Sequence, residues 1–94
     1  MTATGRIEGA EALLNADGEV ALIVPPLAHR PLAWRDAGSG VVELVAGARA
    51  VGSFGCAPAV LEAMAGKGRL LLVEAIDGLV SREGWLARSS VTSN

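Results

Sequence analysis

Cys56 and His29 are the only cysteine and the only histidine of the chain, so a Cys/His nucleophile could be assembled from no other pair. A thiolate nucleophile needs a neighbouring base or a positive field that lowers its pKa. A helix pattern begins at Pro58, two residues after Cys56, and its N-terminal dipole would supply part of that field. The preceding Gly52-Ser53-Phe54-Gly55 adds a glycine-rich strand-to-helix turn whose amides could take an anion. The same features suit a small apolar side chain packed between a strand and a helix, and that structural role is the one expected for Cys56.

Phosphate chemistry finds less support. The turn before Pro58 is neither a Gly-x-Gly-x-x-Gly nor a loop ending in Gly-Lys-Ser/Thr. Gly66-Lys67-Gly68 follows the helix, where the dipole is negative and a lysine steadies the helix end. Among the carboxylates, Asp17 and Asp77 belong to turns, whereas Glu43 and Glu74 interrupt two apolar runs. Facing one cavity, these two glutamates would make an acid/base pair; the alternative is that they face solvent or guard a sheet edge. With one cysteine and one histidine, metal-ligand spacing is absent, and neither a metal nor another cofactor is expected.

A second cluster is better suited to contact than to catalysis. His29 and Arg30 lie between Pro25-Pro26 and Pro31, with Trp34 and Arg35 just beyond. The prolines restrict this stretch and lower the entropic cost of holding a binding surface. Tryptophan and arginine are the side chains most enriched at interface hot spots. The competing role for Trp34 is to fill the core, with the prolines merely guiding an edge connection. The residues proposed for partner or ligand binding are therefore His29, Arg30, Trp34, Arg35 and Cys56, and none is expected to be catalytic.

These candidates must be positioned by short elements. Asp17-Gly18 and Asp77-Gly78 each lie between apolar runs, and both read as type I′ hairpin tips, in which Asp tolerates and Gly favours positive φ. Residues 5–16 fit both a helical stripe and the first arm of a hairpin; the Asp17-Gly18 turn favours the strand. Val20–Val24 is apolar on both faces and ends at Pro25-Pro26. A short run from Leu32 to Arg35 precedes a loop over Asp36–Gly40, and Val41–Val45 reads as a strand that turns at Ala46-Gly47-Ala48 into Arg49–Phe54. Pro58–Ala65 is the best helix, with Val60, Leu61 and Met64 on one face and Gly66 and Gly68 as stops. That crossover is long enough to lay residues 69–76 parallel to an earlier strand. Gly84 marks a bulge or bend in the last arm, and residues 89–94 form a polar tail.

The expected fold is α+β. It is a small, strongly twisted, mostly antiparallel sheet or open barrel of five to seven short strands, with one main helix near residues 57–66. A small SH3-like barrel is the nearest named architecture. The 94 residues make one domain.

Composition narrows the function further. The chain is 51% hydrophobic and 19% charged, against about 25% charged in ordinary globular domains. So small a body buries only about 60–65% of the surface its unfolded chain exposes, which leaves apolar side chains for another subunit to cover. The net charge of −2 and the scattered arginines disfavour nucleic acid. No apolar run approaches the ~20 residues of a membrane helix, and residues 1–5 lack signal-peptide character, so a cytoplasmic protein is expected. The leading expectation is a non-enzymatic assembly or binding module that forms a homodimer or other homo-oligomer, with residues 25–35 as a contact surface for an unidentified protein or small molecule. The alternative is a small enzyme or ligand-binding protein built around Cys56 and the helix N-terminus.

Overall fold

A computed structural model describes residues 6–28 and 33–90. Strands β1 (Glu11–Leu14), β2 (Val20–Val24), β3 (Ala33–Gly38), β4 (Val41–Ala46) and β5 (Arg49–Gly55) precede helix α1 (Pro58–Lys67), which leads to β6 (Arg69–Ile76) and β7 (Leu79–Arg88). All seven strands join one sheet in the order β1-β2-β6-β7-β3-β4-β5. Four neighbouring pairs are antiparallel; β2–β6 and β3–β7 are parallel. The sheet curls so far that Arg6 bridges Ser53 of β5, and the Ile7 amide donates to the Ser53 carbonyl at 3.1 Å. Residues 6–14 thus touch both terminal strands. This is the small α+β, curled and mostly antiparallel sheet that the sequence pattern predicts.

The concave side holds the core. Val20, Leu22, Val24, Trp34, Val42, Leu44, Phe54, Leu70, Leu72 and Leu86 meet there, with Met64 of α1 closing the open side. Burying each large aliphatic side chain contributes about 1.5–3 kcal/mol, so this cluster is the main stabilising element. Val60 and Leu61 pack beside Met64 as the helical spacing requires. The helix stops where Gly68 adopts φ 71° and its amide donates to the Met64 carbonyl at 2.8 Å; Gly66 lies inside the last turn rather than ending it.

Both Asp-Gly pairs are hairpin tips, but they are built differently. Asp77 (φ 52°) and Gly78 (φ 80°) are both left-handed, as a type I′ turn requires. In the first tip only Gly18 has positive φ (76°). There the Gly18 amide donates to the Asn15 carbonyl, while Asn15 Oδ1 accepts from the amides of Asp17 and Glu19. The asparagine side chain supplies the turn contacts, so Asp17 needs no left-handed backbone, and a three-residue loop replaces the expected two-residue one.

Three other differences arise from bulges and local caps. Asp36–Gly38, expected as loop, continues β3, and the Asp36 carboxylate accepts the Gly38 amide at 2.8 Å. The break in β7 falls at Ser81 and not at Gly84: Glu74 faces Arg82, but Ala75 faces Val80. The Ser81 hydroxyl donates to the Glu74 carbonyl at 2.7 Å, giving the extra residue its partner. In β5, Leu44 faces Gly52 but Val45 faces Ala50. The strict alternation expected over Arg49–Phe54 is therefore interrupted at Val51, which packs against the core.

Candidate functional site

Of the residues singled out in the sequence, those that are described form no common site. His29 and Arg30 lie outside the described residues. Trp34 is fully buried on the concave side of β3, with the Arg88 guanidinium 5.5 Å from its ring centroid. Its indole N–H has no acceptor among the described residues. Trp34 therefore fills the core, the competing role weighed for it. Arg35, its neighbour, points to the opposite face and joins Glu43 on β4: Nε and Nη2 each lie 2.8 Å from Oε1.

Cys56 sits just after β5, its amide donating to the Gly40 carbonyl at 2.7 Å and its Sγ 3.6 Å from the Ala57 carbonyl. Burial raises the thiol above its ordinary pKa, and the Asp36 carboxylate raises it further. Both effects oppose thiolate formation, the reverse of what a nucleophile needs.

The two glutamates in apolar strands also separate. Glu74 points into the concave side, where its strand neighbours are Val24 and Arg82, while Glu43 lies on the convex side beside Arg35. They share no cavity. Among the described residues, no group of three or more His, Cys, Asp or Glu side chains could hold a metal ion. No helix among them is long and apolar enough to cross a membrane.

What the fold does assemble is an apolar row on the convex face. Leu13 of β1 stands opposite Ala21 of β2, Ala21 opposite Leu71 of β6, and Leu71 opposite Trp85 of β7. Four strands at about 4.8 Å spacing make this row roughly 14 Å long. Its ends are open to solvent: Leu13 is 45% and Trp85 46% exposed. The small Ala21 leaves a depression between Leu13 and Leu71, the floor of an open cleft of about 450 Å³. The next row along the strands is Glu11, Ile23, Val73 and Glu83, apolar in its middle and acidic at its ends.

On the other flank the Arg69 guanidinium lies 4.2 Å from the Trp85 ring centroid and 3.8 Å from the Glu19 carboxylate. The guanidinium over the ring makes a cation–π contact with the indole at the solvent-open end of the row. A second apolar feature continues from the same hairpin, whose tip carries Ile76, Leu79 and Val80, all more than half exposed.

None of this face was identified from sequence. Leu71 occurs in an apolar stretch and Trp85 follows the polar run Ser81–Gly84, and their alignment with Ala21 and Leu13 depends on β6 inserting beside β2. Chemically the face offers no acid, base or nucleophile positioned toward a reacting centre. It offers apolar area with a charged rim, the composition of a contact surface. Comparison with known protein families, with curated proteins and with solved structures finds no match to this chain.

Proposed function

We propose that the protein is a non-enzymatic assembly or binding module that acts as a homo-oligomer, in its simplest form a homodimer. The observation that carries this reading is the convex row Leu13–Ala21–Leu71–Trp85, continuous across four strands and open to solvent at both ends. Exposed apolar residues scattered singly need no explanation, but a contiguous row across a sheet exposes area whose burial would be favourable. Two-fold pairing is the commonest closed way for identical chains to cover such a face. An enzyme or thiol-ligand site at Cys56 gains no support from the geometry, because its surroundings favour the protonated thiol. The lone free cysteine fits a reducing compartment, and we place the protein in the cytoplasm.

Sedimentation velocity of the full chain between roughly 1 and 100 µM tests the reading. A dimer dissociating on dilution is the expected result, with a melting temperature that rises with protein concentration. The mass of a single chain at every concentration would refute it.

A further inference from the structure

We infer that the convex face of β1-β2-β6-β7 docks on the same face of a second copy, with the two-fold axis running parallel to the strands between β2 and β6. The inference rests on the self-association reading and adds the surface and the symmetry operation.

An isologous contact requires the face to be complementary to itself: if residue i meets j of the partner, then j meets i. An axis along the strands between β2 and β6 exchanges β1 with β7 and β2 with β6 while preserving position along the strand. Within the row it sets Ala21 against the partner's Leu71, and Leu71 against the partner's Ala21. Each leucine enters the depression that the alanine leaves, so large meets small at both central positions. At the row ends Leu13 meets the partner's Trp85, pairing two half-exposed apolar side chains. One row further along, Ile23 meets the partner's Val73.

Charge agrees on the other flank. Glu19 lies next to Arg69 on the neighbouring strand, and the same rotation places Glu19 against the partner's Arg69. Each pair within a chain becomes part of a four-charge cluster of alternating sign, which favours this register over a slipped one.

The competing axis, perpendicular to the strands along the row itself, is less favourable. It stacks Leu71 on Leu71 and leaves Ala21 facing Ala21, which produces a clash and a void side by side. Either axis keeps the strands of the two sheets within about 30° of alignment, so side-chain fit decides between them, and the twist splays the corners. Glu11 and Glu83 occupy those corners and are drawn toward each other by the rotation; both are exposed, and they supply a diagnostic.

The test is sedimentation equilibrium on the wild-type chain and three variants, with far-UV circular dichroism to verify folding. Ala21→Glu fills the depression with a charge and should weaken association at least tenfold. Leu13→Glu, at an exposed position, should do the same and serves if Ala21→Glu fails to fold. Glu11→Lys places a cation against the partner's Glu83 and should tighten association several-fold at low salt, an effect lost by about 0.5 M salt. A wild-type dimer unmoved by all three variants would overturn this interface and leave the self-association reading standing. A wild-type monomer throughout would overturn both. A monomer whose binding of an apolar dye is abolished by Ala21→Glu would assign the face to a different occupant and likewise overturn the dimer.

Discussion

Glu74 on β6 and Arg82 on β7 stand directly opposite one another, and the carboxylate they share is only 1% exposed. Arg82 grips it with both Nε and Nη2, the latter at 2.9 Å from Oε2, while the guanidinium itself remains half in solvent. The same carboxylate accepts the Leu27 amide at 2.9 Å, across 47 positions of sequence. A charge taken out of water needs such a combination of ion pair and hydrogen bonds. The arrangement ties the chain leaving β2 to the β6–β7 hairpin, so its role is structural.

Replacing Glu74 with Ala should cost about 1–3 kcal/mol, because the Leu27 amide loses its acceptor and the guanidinium its partner. Urea unfolding would measure it. The double variant Glu74→Leu/Arg82→Leu should recover part of the loss, since an apolar pair of similar volume avoids burying a charge. A double variant less stable than Glu74→Ala alone would contradict this account.

The two hairpin tips should respond differently to substitution. Gly78→Val puts a β-branched residue at φ 80° and Gly18→Val puts one at φ 76°; each should cost roughly 1–3 kcal/mol. Asn15→Ala should cost about 1 kcal/mol, because Asn15 Oδ1 holds two turn amides. Asp17 makes no left-handed turn, so Asp17→Ala should fall within about 0.5 kcal/mol of wild type. Thermal melts of the four variants decide the order.

Local signals in the sequence reach as far as the turns, the helix and the strands, and stop at register. Asp-Gly between apolar runs marks a hairpin tip because the chemistry of positive φ is local. The helix is equally legible: Pro58 opens it, Gly68 closes it, and Met64 is spaced to reach the core. The partners of Glu43 and Glu74 are not. Counting outward from the Asp77-Gly78 turn pairs Glu74 with Ser81, and only the bulge at Ser81 brings Arg82 opposite. The convex row is further from view, since its middle pairing, Ala21 opposite Leu71, joins two hairpins whose adjacency is fixed by the crossover through α1 and not by any neighbour in sequence.

Cys56 should behave as a packing residue with a measurable alkaline signature. Its thiol is raised above the ordinary value of 9.0, mainly by burial and then by Asp36, so the folded chain holds this proton more tightly than the unfolded chain. The contribution to stability is therefore complete below about pH 9 and declines as pH rises toward the higher folded value. Cys56→Ala should cost about 1–2 kcal/mol at neutral pH and flatten the alkaline decline. Alkylation by iodoacetamide at pH 8 should be slower than for an unfolded control. Faster labelling than that control would restore a reactive role to this cysteine.

The two tryptophans give an internal reporter for association. Trp34 is sealed in the core, whereas Trp85 lies half exposed at one end of the convex row. Trp34→Phe keeps an aromatic ring, removes an indole N–H that has no acceptor among the described residues, and leaves Trp85 as the only fluorophore of its kind. In this variant acrylamide should quench Trp85 efficiently at sub-micromolar protein and progressively less as concentration rises, because a second copy covers the ring. The quenching midpoint should match the dissociation constant from sedimentation, and Ala21→Glu in the same background should keep quenching high at every concentration. If the variant dimerises while Trp85 stays as accessible as in dilute solution, the tryptophan lies outside the contact and the convex row is not what the two chains share.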